Sequence, residues 1–405
     1  MTNLSLPDSW TSLFSARNAA VSAALVVCAL VPPASAQTAR ISTPSLLSEV
    51  VAADLQNPWA LAFLPGGRFL ITERTGSLRI VEADGHLRPP VANLPAIAVG
   101  GQGGLLDVVV DSDFASNRVV YFCYAEPAAS GRANSTALAR ATLSADETQL
   151  NHLTVIFSQK PKVVSSAHFG CRIVEGRNPG AGGKPDGTLF LTLGERYSQK
   201  DDAQKLGNHH GKVIRINKDG SVPADNPFVK TPGALPEIWS YGHRNMQGAT
   251  LAPDGTLWTH EHGPQGGDEI NLPKPGVNHG WPVITYGEEY GGGPIGDGIT
   301  AKTGMAQPLH YWVPSIAPSG MAFVTSERYG KAFQGNLLVG SLKFGYVDRI
   351  ELAQPFAGSV IRESRLLDGV GRVRDVRQGP DGLIYVLTDG SGGKLIRLLP
   401  VGAAR

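Results

Sequence analysis

Two arginines two positions apart are the residues whose types and spacing most clearly suggest chemistry. Arg372 and Arg374 flank one valine where an apolar run begins, and the period-2 geometry of a strand directs both side chains to one face. Neighbouring guanidinium groups repel each other unless an anion lies between them, and their planar donors suit carboxylate or phosphate. The pair therefore predicts an anion site. The alternatives are a solvated strand face or ion pairs with Asp368 and Asp375.

A single histidine, His168, is the side chain best suited to remove a proton. It lies in the segment 165–170, just before an apolar strand, and imidazole exchanges a proton near neutral pH. A lone histidine is more often structural than catalytic, so both interpretations stand at this point. Lys343 interrupts an apolar strand end and is equally consistent with a site cation and with an exposed loop lysine.

Two further segments combine polar groups with turn residues. The segment 241–245 places a flexible glycine beside histidine, arginine and asparagine, and the segment 261–269 mixes carboxylates with Gly/Pro turns. Hard cations such as calcium favour carbonyl and carboxylate oxygens held in this way. His260 and His262, on one strand face, leave a transition-metal site as a minor alternative. The sequence contains no phosphate-binding glycine loop, no nucleophile elbow and no nicotinamide fingerprint.

All these residues lie between the members of a repeat. Six times along the chain, an apolar strand leads through a turn, mostly Pro/Asp/Gly, into a second strand rich in Leu, Ile, Val and Tyr. Asp-Gly turns fix strand register, and radial packing of six small sheets buries their faces and leaves only short edges. The repeat predicts an all-β fold, a six-bladed β-propeller of four-stranded antiparallel blades, rather than a pair of two-sheet sandwiches. We expect the apolar run 46–53 to close the last blade against the first.

In a propeller, the loops between such strands converge on one rim, where a rigid scaffold holds them. One histidine, one glutamine, an Arg-Asn pair, one lysine and the Arg372/Arg374 pair are therefore expected to meet at a single site. The composition agrees with many short strands, because 49 glycines and 29 prolines supply turns. A net charge of +1 gives no basic field that would recruit nucleic acid.

The N-terminus has the features of a secretory signal peptide. Arg17 precedes an apolar run over 19–31, and Ala34-Ser35-Ala36 forms a small-x-small cleavage site. Residues 1–36 are therefore predicted to be removed, leaving one propeller domain, 37–405, that is periplasmic or secreted and has no stable membrane span. The alternatives are an uncleaved membrane anchor and a lipoprotein site at Cys28.

Two cysteines, Cys123 and Cys171, remain after the predicted cleavage. Cys123 lies in an apolar strand run and is most simply a buried small hydrophobe. Export permits a disulfide, but we predict none between these two residues.

Eight short motifs in order resemble one known family. They span about Asn57 to Leu399 and are similar to those of the soluble PQQ-dependent aldose sugar dehydrogenases, relatives of soluble quinoprotein glucose dehydrogenase. The motifs are Gly100-Gly101-Gln102-Gly103-Gly104-Leu105-Leu106-Asp107, His168-Phe169-Gly170, Gly242-His243-Arg244-Asn245, His262-Gly263-Pro264, Asp268-Glu269-Ile270-Asn271, Asn278-His279-Gly280-Trp281-Pro282, Leu342-Lys343 and Arg372-Val373-Arg374-Asp375-Val376. The resemblance implies a six-bladed propeller, in agreement with the repeat.

The resemblance also implies a role for each matching residue. His168 matches the general base that removes the proton of the anomeric hydroxyl while C1 of the sugar passes hydride to the quinone C5. Arg244 matches the residue that stabilises charge on the C5 oxygen. The remaining cofactor contacts match Gln102, Asn245, Tyr290, Lys343, Arg372 and Arg374.

Two calcium sites follow from the same resemblance. Gly263 and Pro264 match positions whose carbonyls bind the calcium of the cofactor, which polarises the quinone as a Lewis acid. Glu269 and the carbonyl of His279 match a second, structural calcium in some members. His279 stands where the family often has tyrosine, a change that a backbone ligand tolerates. Ala167 carries no acid before the base, unlike glucose dehydrogenase proper, so glucose-type specificity is not expected.

The sequence thus predicts an enzyme that oxidises aldoses to lactones and passes electrons to an unidentified acceptor, a quinone or a cytochrome. Two other functions remain open at this stage. A calcium-dependent propeller lactonase would need no quinone and would leave Arg372 and Arg374 unexplained. A non-catalytic propeller would use the same rim to bind a carbohydrate or a protein.

Overall fold

The structure is a computed structural model that describes residues 46–178 and 183–401. These residues form six antiparallel sheets arranged as the blades of a propeller, so the predicted six-bladed architecture is confirmed. The predicted signal peptide, residues 1–36, lies outside the described residues. Within the described ranges, no helix combines the length and apolar character that a membrane crossing requires.

The strands follow the chain blade by blade, except that the first strand belongs to the last blade. The first strand is β1 (Leu46–Gln56). Blade 1 contains β2 (Pro58–Leu64), β3 (Arg68–Glu73) and β4 (Ser77–Val81). Blade 2 contains β5 (Leu105–Val110), β6 (Val119–Pro127), β7 (Asn134–Leu143) and β8 (Leu150–Ser158). Blade 3 contains β9 (Ile173–Asn178), β10 (Lys184–Leu193), β11 (Lys212–Asn217) and β12 (Ile238–Tyr241).

The second half of the chain repeats the arrangement. Blade 4 contains β13 (Met246–Leu251), β14 (Leu257–Glu261), β15 (Asp268–Asn271) and β16 (His310–Trp312). Blade 5 contains β17 (Pro318–Phe323), β18 (Leu337–Ser341), β19 (Val347–Gln354) and β20 (Ala357–Leu366). Blade 6 contains β21 (Val373–Gln378), β22 (Ile384–Thr388) and β23 (Ser391–Pro400) together with β1. The described helices are short and lie between strands: α1 (Phe114–Asn117) and the 3-10 helices Lys200–Gln204 and Glu327–Tyr329.

Turn chemistry explains where most of the strands break. Gly255 and Gly382 have positive φ angles of 82° and 80° in the turns between β13 and β14 and between β21 and β22, a conformation that glycine adopts without a steric penalty. In blade 3, by contrast, the predicted turn 185–187 lies inside β10, at an irregularity in its pairing with β9.

Blade 1 has a different outer edge. Its sheet contains three strands, and the segment after β4 makes only isolated bridges, from Leu87 to Val81 and from Ala92 to Gln149 of blade 2. Pro89 and Pro90 lie between these bridges, and proline has no N–H to donate to a strand ladder. The outer position of this blade is therefore occupied by irregular chain.

The ring is closed by pairing the two ends of the described chain. β1 runs antiparallel to β23, with Leu46 opposite Pro400, which confirms the predicted closing strand. The first strand of every blade is innermost, and each contacts the innermost strand of the next blade, including β21 with β2.

Apolar side chains fill the spaces between blades. Leu70, Phe122 and Leu191 of blades 1, 2 and 3 belong to one buried cluster. The rings of Trp258 and Phe323, from blades 4 and 5, meet edge to face at 5.2 Å. Each blade thus buries both faces of its sheet, as the repeat requires.

The centre of the ring is charged. The Arg172 guanidinium, just before β9, lies 3.3 Å from the carboxylate of Asp107 on β5 and 2.9 Å from that of Asp375 on β21. Arg377 contacts the same two carboxylates at 2.6 Å and 3.0 Å. Arg172 also lies over the ring of Trp59 on β2, at 4.3 Å. This central ion network, defined by Arg172, Arg377, Asp107 and Asp375, joins blades 2, 3 and 6.

A disulfide joins Cys123 on β6 to Cys171 just before β9, so the prediction of no bridge was wrong. Both residues are fully buried, and Cys123 does pack as a hydrophobe within the core of blades 1 to 3. The two cysteines are 48 positions apart in the chain. They meet because consecutive blades pack side by side, and no local sequence pattern encodes that proximity.

Removing one charge from the central ion network should strongly destabilise the protein. Asp375→Asn leaves the buried Arg172 and the partly buried Arg377 with half of their charge uncompensated, and breaking a buried pair costs about 3–5 kcal/mol. The free energy of unfolding in urea measures the loss. The matched control is Glu49→Gln, which removes the exposed partner of Arg397 and should cost less than about 1 kcal/mol. Equal effects of the two substitutions would contradict the assignment.

Removing the disulfide should also lower stability. Cross-linking residues 48 positions apart restricts the unfolded chain and contributes roughly 4 kcal/mol. The double variant Cys123→Ala/Cys171→Ala should therefore unfold at lower urea concentration than the wild type. Each single variant should match the double variant, because either one abolishes the bond. An unchanged midpoint in the double variant would show that the bridge contributes nothing.

Candidate functional site

His168 lies on the rim between blades 2 and 3, and its imidazole has a fixed hydrogen-bond partner. Nδ1 is 2.5 Å from Oε2 of Glu195, and the side chain of His168 is only 6% exposed. A carboxylate can only accept, so Nδ1 carries the proton and Nε2 is left as the basic nitrogen. The backbone N–H of His168 donates to Oε1 of Gln102 at 2.8 Å.

Burial lowers the pKa of His168 from its ordinary value of 6.5. The carboxylate of Glu195 acts in the opposite direction, while the charges of Arg244 and Arg196 lower the pKa further. The neutral imidazole, which is the form that accepts a proton, is therefore favoured at neutral pH.

Glu195 was not identified from the sequence. It follows directly after β10, in Gly194-Glu195-Arg196, and its side chain is buried. The available signal was a carboxylate at the end of the second strand of a unit, beside the loop with the histidine. The position of Glu195 in the sequence does not identify it as the partner of His168, because the two loops come together only when the blades pack.

The loop of His168 is held by side chains from two neighbouring blades. The Thr136 hydroxyl donates to the carbonyl of Phe169 at 2.6 Å. The N–H of Gly170 donates to Oδ1 of Asn245 at 3.2 Å, and Nε2 of Gln247 donates to the Gly170 carbonyl at 2.6 Å. Asn245, predicted as a cofactor contact, thus also fixes the backbone next to the histidine.

Arg244 is buried beside the predicted calcium ligands. Its Nη1 donates to the carbonyls of His262 and Gly263 at 3.0 Å and 2.8 Å, and its guanidinium lies 5.2 Å from the centre of the Trp281 ring. Among the residues that the structure describes, Nε of Arg244 has no hydrogen-bond partner. At least one N–H donor of this guanidinium therefore has no partner in the described part of the protein.

The paired arginines line a cavity of about 240 Å³ at the mouth of the central channel. Both reach Asp389, Arg374 at 3.2 Å and Arg372 at 3.5 Å, rather than Asp368 or Asp375. Arg374 is buried, and its Nε has no partner within the described ranges.

The charge of this cavity is positive. Gln102, Asn245 and Arg74 line it together with the arginine pair. Although burial opposes the shift, Arg374 and Arg372 lower the pKa of Asp389, so that carboxyl is ionised at neutral pH. Three guanidinium groups therefore face one carboxylate, and the cavity favours an anion.

Lys343 and Tyr290 lie in an adjoining pocket rather than in the cavity of the arginines. This pocket has a volume of about 450 Å³, and Pro264 is part of its wall. Tyr290 is 61% exposed, and Nζ of Lys343 lies 5.1 Å from the ring of its neighbour Phe344. Pro264 and Tyr290 also line a third pocket, of about 200 Å³, with Arg244 and Glu195. The second and third pockets share Pro264 and Tyr290, and the consecutive residues Arg244 and Asn245 line the third pocket and the cavity of the arginines, respectively.

Two carboxylates approach each other beneath Arg244. Glu261 accepts hydrogen bonds from the Nδ1 atom of His243, from Asn271 and from the Arg244 N–H. Burial raises the pKa of Glu269 well above its ordinary value, and the charge of Glu261 raises it further.

His279 lies beside this carboxylate pair, with its ring stacked on that of His243 at 4.5 Å. Both carboxylates, His279 and Gly263 line one small cavity. Within the described ranges, no group of three or more His, Cys, Asp or Glu side chains is arranged to hold a metal ion. A metal here would therefore depend on backbone carbonyls, as the resemblance implies.

The minor alternative of a transition-metal site at His260 and His262 has no support. His260 is fully buried and His262 is partly buried, and burial lowers the pKa of each. Nε2 of His262 lies 2.7 Å from the carbonyl of Pro318 and donates a hydrogen bond to it.

Comparisons with known proteins identify the family of the chain. A sequence model described as Glucose / Sorbosone dehydrogenase matches residues 55–397. The aldose sugar dehydrogenase YliI of Escherichia coli (strain K12) is 42% identical over 378 residues, which cover 92% of this chain and 98% of that protein.

Two solved structures show the same fold. The apo-form of the soluble aldose sugar dehydrogenase from Escherichia coli has a TM-score of 0.79 and 40% identity, covering 88% of this chain and 100% of that chain. The PQQ-bound form of an aldose sugar dehydrogenase from Streptomyces coelicolor has a TM-score of 0.70 and 27% identity, covering 88% of this chain and 99% of that chain.

The pKa of His168 should respond to Glu195 in a defined direction. Glu195→Gln removes the negative charge that raises this pKa, so the pKa should fall further below 6.5 than in the wild type. Titration of the histidine rings by NMR measures the change. His209, whose partner is Glu237, serves as the internal control and should not shift. A rise in the His168 pKa would contradict the proposed pairing.

Proposed function

The chain belongs to the Glucose / Sorbosone dehydrogenase family and is an oxidoreductase that acts on sugars, and from this premise we propose that it oxidises aldoses at C1 to lactones with bound PQQ and calcium. The observation that carries the proposal is the convergence of three features on one rim. The His168–Glu195 pair, Arg244 and the cationic cavity come from different blades and adjoin one another.

The cationic cavity suits PQQ, an anionic quinone that bears carboxylates. The three positive charges of Arg74, Arg372 and Arg374 outnumber the single negative charge of Asp389. In addition, the buried Nε of Arg374 has no hydrogen-bond partner among the described residues. An anion with several oxygens would satisfy these donors. The related protein from Streptomyces coelicolor was solved in a PQQ-bound form, which supports the same cofactor here. Gln102, Asn245, Lys343 and Tyr290 are the further proposed contacts.

The turn at Gly263 and Pro264 suits calcium. A Cβ atom at Gly263 would lie 2.1 Å from the carbonyl oxygen of Gly266 and 2.4 Å from that of Gly267, so this turn packs backbone oxygens closely and only glycine fits. Hard cations bind such oxygens. Glu269 and the carbonyl of His279 would hold a second ion, and a cation there would relieve the repulsion between Glu261 and Glu269.

His168, Glu195 and Arg244 have different roles in the proposed reaction. Nε2 of His168 takes the proton of the anomeric hydroxyl, and Glu195 keeps the proton on Nδ1 and stabilises the imidazolium that forms. Arg244 donates to the oxygen on which negative charge develops. When bound, PQQ supplies the two-electron acceptor for hydride from C1, and calcium supplies a Lewis acid. The electrons then leave for an acceptor, which we propose to be a quinone or a cytochrome.

We also propose that the protein works outside the cytoplasm, in the periplasm or as a secreted protein. The signal-peptide pattern of residues 1–36 supports export. The disulfide between Cys123 and Cys171 supports it independently, because such bonds persist in oxidising compartments.

Reconstitution tests the proposal. The purified protein, incubated with PQQ and calcium, should reduce a redox dye when a panel of aldoses is added, and removal of calcium with a chelator should abolish the reaction. His168→Ala should lower kcat by roughly 10²- to 10⁴-fold, the usual contribution of a general base. His86→Ala, at an exposed position on the outer side of blade 1, is the matched control and should leave kcat unchanged.

Two results would overturn the proposal. The first is PQQ binding without oxidation of any aldose in the panel. The second is hydrolysis of lactones without quinone, at a rate that Arg374→Gln leaves unchanged, because a lactonase has no use for the cationic cavity.

A further inference from the structure

Tyr197 is a large aromatic side chain in direct contact with the proposed base. Its ring meets the imidazole of His168 edge to face, with the ring centres 5.3 Å apart. The side chain is nevertheless 54% exposed. An aromatic ring that is not covered by protein, beside a catalytic group, leaves apolar surface for a ligand.

The backbone that presents this ring adopts an unusual conformation. Arg196 and Tyr197 both have φ angles of 67°, in the left-handed region that bulky residues seldom adopt. Such conformations persist only where the surroundings impose them, and they cluster at functional sites. The N–H of Tyr197 donates to Oε2 of Glu195 at 3.1 Å, the same oxygen that receives the Nδ1 proton of His168.

The side chain of Arg196 holds the backbone of residues 196 and 197 in this unusual conformation. Its buried guanidinium donates to the carbonyls of Ala167 and Ser165 at 3.1 Å and 2.7 Å and to Oδ1 of Asn134 at 2.7 Å. It also stacks over the ring of Phe169 at 3.8 Å. This arginine ties the strained segment to the loop of His168, so the position of the Tyr197 ring is set together with that of the base.

The pocket that Tyr197 lines is small, but its wall has the character of a small-molecule site. Its volume is about 200 Å³, and Trp281, Tyr290 and Arg244 form other parts of the wall. Lys200 and Glu289, paired at 2.9 Å, lie at its edge. Aromatic walls with a few polar groups are typical of pockets for small ligands. A sugar ring offers an apolar C–H face to an aromatic side chain and hydroxyls to the polar groups.

We infer that Tyr197 determines specificity, as the wall against which the ring of a cyclic aldose packs while its anomeric hydroxyl reaches His168. The inference rests on the proposed function, which already implies a sugar in its ring form, and it identifies the side chain against which that ring packs. A short open-chain hydroxyaldehyde has no ring to pack against Tyr197. Substitutions of Tyr197 should therefore discriminate between these two kinds of substrate.

Steady-state kinetics of the PQQ- and calcium-loaded enzyme test the inference with a hexopyranose, a pentopyranose and glyceraldehyde. Tyr197→Ala should lower kcat/KM for the pyranoses by about 10- to 100-fold, mainly through KM, because an aromatic packing surface is lost. The same variant should change kcat/KM for glyceraldehyde by less than about threefold. Tyr197→Phe keeps the ring and should restore most of the pyranose activity. Ile361→Ala, at an exposed position on β20, is the control and should behave as the wild type.

Three measurements separate this inference from its alternatives. An unchanged KM for pyranoses in Tyr197→Ala would overturn the inference and leave the proposed function intact. A fall in kcat for every substrate, with a displaced pH profile, would show that Tyr197 acts only by holding His168, and would also overturn it. PQQ affinity should be the same in wild type and variants, because Tyr197 does not line the cationic cavity. A wild type that binds PQQ but oxidises no sugar would overturn both proposals.

Discussion

The central ion network is the constraint on which the rest of the structure depends. Arg172, Asp107 and Asp375, which are buried, and Arg377, which is partly buried, compensate one another's charge where the inner strands of blades 2, 3 and 6 meet. A shift of any one of these blades would leave a buried charge without a partner, at a cost of several kcal/mol. The apolar contacts between blades favour packing in general, whereas the ion network selects one arrangement of the inner strands.

The candidate site takes its rigidity from that arrangement. Five consecutive residues, 168–172, contain the proposed base, the disulfide cysteine and the arginine at the centre of the network. The loop is therefore fixed at both ends, by Glu195 on the rim and by Asp107 and Asp375 in the channel. A general base needs a fixed orientation as well as a suitable pKa. The contacts that hold segment 168–172 at both ends provide the fixed orientation.

Much of the fold could be predicted from the sequence, because each blade is a local repeat with its own turns. The closing strand β1 and the six units are where apolar periodicity placed them. The arginine pair shares a cavity with Gln102 and Asn245, as loops on one rim should. What could not be predicted depends on contacts between blades: the partnership of Glu195 with His168, the pairing of the arginines with Asp389, and the disulfide. None of these three contacts follows a repeat in the sequence, because each joins segments that meet only after the ring has formed.

The closure of blade 6 by β1 and β23 has a consequence for how the protein is made. The first described strand finds its partner in the last one, so the ring cannot shut until translation has delivered the C-terminal strand. Arg372 and Arg374 lie at the start of β21 in this last blade, and the cationic cavity is thus completed only when the last blade is made. A chain that is cut short before residue 391 would leave β1 as an unpaired edge, which is a target for aggregation and for proteolytic quality control.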